Sequence, residues 1–135
     1  MQNVGMATEL TVLAWSVILL IVYIVVQSTT MTASLGMDYN ASNRDAGKEA
    51  RGVAAPRAKR ALANYLETYP AFIALALALA ITGKSGGAGA TGAILWIVAR
   101  ALYLPIYVIG IPYIRTLAWL ASIVGLVMML VRLMG

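Results

Sequence analysis

The sequence predicts an all-α membrane protein, a four-transmembrane-helix bundle that forms a single domain over residues 1–135. Hydrophobic residues make up 61% of the chain and charged residues 11%, against about 45–50% and about 25% in soluble domains. Four stretches are apolar over roughly the 20 residues that a helix needs to cross a bilayer. The basic residues also concentrate beside one of these stretches, which is typical of a loop in a membrane protein.

The first two predicted spans cover residues 10–26 and 61–81. Glu9 precedes the first span, no basic residue comes before it, and no small-residue cleavage site follows it, so it is not expected to be a cleaved signal peptide. Leucine and alanine alternate at residues 75–80 of the second span, a pattern that also occurs in strands. A helix is favoured because it satisfies all its backbone polar groups inside the bilayer.

The third and fourth predicted spans cover residues 90–109 and 113–133, with a short turn at residues 110–112 between them. The third span contains a charged residue, Arg100, and a proline, Pro105. Because proline lacks an N–H group, Pro105 is expected to interrupt this helix and to free a carbonyl group.

The distribution of basic residues predicts the orientation of the chain, whose formal net charge is +5. The loop between the first and second spans holds six basic residues. The loop between the second and third spans holds a single basic residue, Lys84, and no basic residue precedes the first span. The predicted loop at 29–60 is therefore placed in the cytoplasm, with both termini outside. Nucleic acid is not an expected partner, since the basic residues flank the membrane without interleaved aromatic residues. The basic residues of this loop are Arg44, Lys48, Arg51, Arg57, Lys59 and Arg60.

The chain contains no cysteine and no histidine. It therefore has no thiolate nucleophile of its own, no imidazole base and none of the usual ligands of zinc or iron–sulfur clusters. If the protein is an enzyme, its reactive group is expected to come from a bound cosubstrate.

A polar stripe runs along the start of the second span. Arg57, Arg60, Asn64 and Glu67 are spaced by three, four and three residues, which places them within about 80° of one helix face. Glu67 lies roughly 10 Å along the helix from Arg60, where a carboxylate needs a cationic or hydrogen-bonding partner. The alternative interpretation of the arginines is that they are anchors at the lipid headgroups, and that of Asn64 is a bridge between helices.

The third span carries a second polar face, formed by Arg100, Tyr103 and Tyr107 at spacings of three and four residues. An arginine near the middle of a span costs ~2.5–3.5 kcal/mol on insertion scales. An ion pair with Glu67 would offset part of that cost, either as part of a ligand site or as a purely structural pair. The two tyrosines are also compatible with ordinary packing.

Arg115 and Thr116 open the fourth span, where the N-terminus of a helix favours an anion. A lipid-headgroup anchor is the alternative interpretation of Arg115. The two polar faces and this helix start converge near the predicted cytoplasmic boundary. Such a site suits a small zwitterionic ligand, with its carboxylates bound by arginines and its ammonium group by Glu67.

Two segments resemble the MAPEG family, the membrane-associated proteins in eicosanoid and glutathione metabolism. RAKRALANYLETYPAF at 57–72 is similar to the family signature, and ARALYLPIYVIGIPYIRTLAW at 99–119 is similar to its third and fourth spans. NRD at 43–45 and the Val-Gln pair at 26–27 resemble bacterial members. Thr68 departs from the leukotriene synthase branch, which has a tyrosine there.

The resemblance implies a homotrimer that binds glutathione between neighbouring subunits near the cytoplasmic face. It gives Arg115 the catalytic role of stabilising the glutathione thiolate, and it places Thr116 where prostaglandin E synthases have a serine. A multi-pass protein of the bacterial inner membrane is implied as well. Together with Arg100 from the third-span face, the predicted glutathione-binding residues are Arg60, Asn64, Glu67, Arg100, Tyr103, Tyr107 and Thr116.

The resulting hypothesis is a glutathione-dependent transferase or peroxidase-like protein that acts on a hydrophobic small molecule arriving from the surrounding lipids. A non-catalytic lipid-binding or scaffold trimer of the same family is the alternative. A small four-span drug exporter is a third interpretation, with Glu67 as the only deep carboxylate available for proton coupling.

Overall fold

The computed structural model describes residues 5–36, 42–43 and 52–135. These residues form four helices, each long and apolar enough to cross a membrane, and the predicted all-α four-helix class is confirmed. Their bounds are Thr8–Leu35 for α1, Ala54–Ile81 for α2, Gly87–Ile109 for α3 and Pro112–Met134 for α4.

Helices α1 and α2 extend beyond the apolar spans predicted from the sequence. Helix α1 continues past residue 26 to Leu35, and α2 begins at Ala54 rather than at residue 61. Hydropathy detects only the part of a helix that matches the bilayer, whereas helical hydrogen bonding continues into the polar flanks. Arg44, Lys48 and Arg51 of the predicted loop lie outside the described residues.

Pro105 does not interrupt α3, contrary to the expectation, because the helix is continuous over Gly87–Ile109. A proline removes one donor from the helical ladder, and in membrane helices neighbouring groups and small local adjustments compensate for that loss. Pro70 lies within α2 in the same way.

Helices α2 and α3 form the centre of the bundle, since each contacts the other three helices, whereas α1 and α4 lie apart. The closest approach is between α3 and α4 at Gly92 and Gly125. A Cβ atom on either glycine would lie 2.5 Å from the carbonyl oxygen of the other. Small residues at such a crossing allow two membrane helices to pack backbone against backbone.

The core between α1, α2 and α3 is an aromatic cluster. Trp96 stacks on Phe72 with ring centroids 4.0 Å apart, and Tyr65 packs against Tyr23 at 4.6 Å. The buried hydroxyl groups have partners: Tyr23 donates to the Arg100 carbonyl and Tyr65 to the Ser16 carbonyl, both at 2.6 Å. Satisfied polar groups of this kind fix how the three helices are rotated about their axes.

The bundle has two ends that differ in their chemistry. The Glu9 end contains the start of α1, the turn between α2 and α3, and the end of α4. The Arg115 end contains the start of α2, the turn between α3 and α4, and the first turn of α4.

Candidate functional site

Tyr107 of α3 lies between two arginines at the Arg115 end. Arg60 of α2 donates from Nε to the Tyr107 hydroxyl at 3.1 Å. The guanidinium carbon of Arg115 lies 4.7 Å from the centroid of the Tyr107 ring, within the range of a cation–π contact. Three helices therefore each contribute one of these predicted site residues to a single cluster.

A second cluster lies deeper, around Arg100 of α3. This fully buried arginine donates from Nη1 to Asn64 Oδ1 at 2.6 Å and from Nη2 to Thr68 Oγ1 at 2.8 Å. Its guanidinium carbon also lies 5.3 Å from the centroid of the Tyr103 ring. Both hydrogen-bonding partners are neutral groups, so neither of them forms an ion pair with the guanidinium.

The expected ion pair between Arg100 and Glu67 is not formed among the described residues. Glu67 is exposed on α2, while Arg100 bonds to Asn64 and Thr68. Helix geometry explains the difference, because Thr68 lies about 40° from Asn64 around the helix, whereas Glu67 lies about 60° to the other side. Thr68 was not predicted as a site residue, although its four-residue spacing from Asn64 was a signal for it.

A cavity of about 110 Å³ lies next to both clusters, lined by Asn64, Tyr103, Arg115, Thr116 and Trp119. Four of these five residues were predicted as site residues. Trp119 was not predicted as a site residue, although its four-residue spacing from Arg115 places both on one face of α4. Drug-sized ligands occupy pockets of roughly 300–1,000 Å³, so the cavity within one chain holds only part of a ligand of that size.

The predicted site residues thus occupy four kinds of position. Asn64, Tyr103, Arg115 and Thr116 line the cavity. Arg60 and Tyr107 adjoin it through the contact between Tyr107 and Arg115. Arg100 lies behind Asn64, and Glu67 is exposed on the outer face of α2.

Helix α4 begins in a way that favours an anion near Arg115. Pro112 occupies the start of the helix, and the backbone N–H of Arg115 donates to the Ile111 carbonyl at 3.1 Å. The Thr116 hydroxyl donates to the Pro112 carbonyl at 3.2 Å, which leaves its oxygen lone pairs as acceptors. The positive end of the helix dipole and the Arg115 guanidinium therefore act in the same place.

These features define a multi-pass membrane protein with an arginine- and tyrosine-rich polar pocket at one end of its helices. The sequence model of the MAPEG family matches residues 12–135. The chain therefore belongs to the MAPEG family, and the resemblance found in its motifs is confirmed. No curated protein and no solved structure matches the chain.

Proposed function

We propose that the protein is a glutathione-dependent transferase or peroxidase-like enzyme of the membrane, which activates the glutathione thiol for attack on a lipophilic electrophile. The observation that carries this proposal is the position of Arg115. Its guanidinium lines a polar cavity and packs on the Tyr107 ring, which Arg60 binds from α2. Glutathione is the thiol that the MAPEG family generally uses.

The arginines and Asn64 supply donors for the carboxylates and carbonyls of glutathione. Asn64 accepts a hydrogen bond from Arg100 through Oδ1, so its amide nitrogen remains available to donate to a ligand. Arg100 is fully buried, and in this proposal it acts through Asn64 rather than by touching the ligand. The ligand carboxylates would then bring negative charge close to the buried cation.

Arg115 supplies the electrostatic part of the mechanism. A free thiol has a pKa of about 8.5, so only ~3% is ionised at pH 7. Lowering the thiol pKa by about two units would make roughly three quarters of it thiolate, which corresponds to ~2.7 kcal/mol. The thiolate sulfur then forms a bond to the electrophilic atom, and the electron pair of the broken bond leaves with the departing group.

The exposed polar residues of α2 support assembly into a homotrimer with the ligand between neighbouring subunits. Arg60 and Glu67 are exposed in the single chain, although charged side chains facing lipid are costly. A neighbouring subunit over this face would remove both from the lipid and would place Glu67 near a ligand ammonium group. In the same proposal the Arg115 end faces the cytoplasm of a bacterial inner membrane, with both termini outside.

A non-catalytic lipid-binding trimer of the same family is the second candidate. An apolar groove of about 260 Å³ between α1 and α3, with Trp15, Val22 and Ala101 in its wall, favours it. Such a groove accommodates an acyl chain without any role for Arg115. The two candidates therefore differ in whether Arg115 matters for ligand binding.

Isothermal titration of the detergent-purified assembly with glutathione tests the proposal. The wild type is expected to bind at millimolar glutathione or below, and Arg115→Ala to bind at least tenfold more weakly. Arg132→Ala is the matched control, because Arg132 belongs to the Glu9 end and donates to the Lys84 carbonyl. No binding by the wild type, or equal losses in both variants, would overturn the proposal in favour of the lipid-binding candidate.

A further inference from the structure

Arg57, in the first turn of α2, binds the backbone at the end of α3. Its Nη1 donates to the carbonyl oxygens of Val108 and Ile109, each at 3.2 Å. The last carbonyl groups of a helix have no donor within that helix. Arg57 therefore supplies from a different helix the hydrogen bonds that the end of α3 lacks.

Gly110 is the residue against which the Arg57 guanidinium packs. Its φ angle is 92°, in the left-handed region, and its N–H donates to the Ile106 carbonyl at 2.9 Å. A Cβ atom at this position would lie 2.5–2.8 Å from the guanidinium atoms of Arg57. The backbone conformation at this position therefore favours glycine, and a Cβ atom here would displace the guanidinium of Arg57.

The turn that Arg57 holds joins two parts of the candidate site. Tyr107 lies three residues before Gly110, and Arg115 lies five residues after it. One turn after Arg57 on the same helix, Arg60 donates to the Tyr107 hydroxyl. Helix α2 therefore holds the end of α3 at two points: the Arg57 side chain binds its backbone carbonyls, and the Arg60 side chain binds the Tyr107 hydroxyl.

We propose that Arg57 is a positioning residue for the site, which sets the distance between Tyr107 and Arg115 by fixing the α3–α4 turn and does not touch the ligand. The effect of Arg57 on the glutathione thiol rests on the proposed function. The geometric part, that Arg57 holds the turn, stands independently of any ligand.

Hydrogen exchange of the full chain in detergent tests the geometric part. Arg57→Ala is expected to speed exchange of the amides of residues 110–111 and 113–115 by about tenfold, because hydrogen bonds to a charged donor are lost from the preceding carbonyls. Lys59→Ala is the control, since Lys59 is exposed in the same helical turn. Exchange that is unchanged in Arg57→Ala would overturn the proposal and leave Arg57 as a headgroup anchor.

A double substitution tests the packing of Arg57 against Gly110. Gly110→Ala is expected to speed exchange at the turn strongly, because the new Cβ meets the guanidinium. In the Arg57→Ala background the same substitution should have a clearly smaller effect, since only the backbone strain remains. Strictly additive effects would contradict the proposed contact.

The pKa of the bound glutathione thiol, followed through its ultraviolet thiolate absorbance, tests the effect on the site. Arg57→Ala is expected to raise that pKa by about one unit, Lys59→Ala to leave it unchanged, and Arg57→Lys to restore part of the shift. A purely structural role would lower stability and leave the thiol pKa of the folded protein unaltered, which would overturn the proposal. If the wild type binds no glutathione, the proposed function fails, and the exchange experiment still decides whether Arg57 holds the turn.

Discussion

The two ends of the bundle use charged residues differently. At the Glu9 end, each of three charged side chains binds a backbone group of another segment. Glu9 accepts from the Gly86 N–H at 2.8 Å, Lys84 donates to the Leu133 carbonyl at 2.8 Å, and Arg132 donates to the Lys84 carbonyl at 2.9 Å. These contacts close the turn between α2 and α3 against α1 and α4.

At the Arg115 end, the arginines that surround the cavity contact side chains instead. Arg60 and Arg115 meet at Tyr107, and Arg100 holds Asn64 and Thr68. A guanidinium group has five N–H donors, so Arg60 and Arg115 keep donors to spare near the cavity. Under the proposed function, the partner of a charged residue, rather than its charge, distinguishes a structural role from a binding role.

The largest expected difference between the ends is in turnover. Arg115→Ala should lower kcat/KM for glutathione and an apolar electrophile by about 10²–10³-fold, because a preorganised positive group at the reacting sulfur is lost. Arg132→Ala should change it less than about threefold, since Arg132 is exposed at the other end. Steady-state kinetics on both purified variants measures this, and comparable losses in the two would remove the distinction between the ends.

The buried Arg100 should show an intermediate effect. Arg100→Lys is expected to weaken glutathione binding by about tenfold, because a lysine ammonium cannot hold Asn64 and Thr68 with the fork geometry of a guanidinium. Titration calorimetry measures the affinity. An unchanged affinity would show that Arg100 does not act through Asn64.

Substitution of Glu9 should lower stability and leave glutathione affinity nearly unchanged, in contrast to substitution of Arg115, which should weaken glutathione binding. Glu9→Ala removes the acceptor of the Gly86 N–H and is expected to lower the free energy of unfolding by about 1–3 kcal/mol. Its effect on glutathione affinity should be within about twofold, because Glu9 lies at the other end of the bundle. Denaturant unfolding in detergent measures the free energy of unfolding. Titration calorimetry on the folded protein then measures the glutathione affinity separately. A large loss of affinity at full folding would show that the two ends are coupled.

Thr116→Ala should have the smallest effect within the site. The Thr116 hydroxyl already donates to the Pro112 carbonyl, so it contributes at most an acceptor to the cavity. A change in kcat/KM of about threefold or less is expected, of the order of a weak neutral hydrogen bond. A loss approaching that of Arg115→Ala would identify Thr116 as a direct partner of the sulfur.

The periodic part of this architecture was predictable from the sequence. The lengths of the apolar stretches predicted the four helices. Three- and four-residue spacings indicated two polar faces, one with Arg60, Asn64 and Glu67 and the other with Arg100, Tyr103 and Tyr107. These signals are internal to one helix, and they depend only on the 3.6-residue period.

The contacts between helices were not predictable in the same way. The partner of Arg100 depends on how α2 and α3 are rotated toward each other, and the aromatic core fixes that rotation. Arg57 was predicted as part of the polar stripe, yet its hydrogen bonds go to the end of α3. The position of the end of α3 relative to α2 depends on how the whole bundle packs. Residue spacing within one helix cannot predict it.

The most direct measurement is a pH titration of the thiolate absorbance of glutathione bound to the wild-type assembly. If Arg115 and the start of α4 stabilise the anion, the midpoint should lie about two pH units below the free-thiol value of about 8.5. A midpoint at the free-thiol value, with glutathione shown to be bound, would contradict the account of Arg115 as the group that activates the thiol.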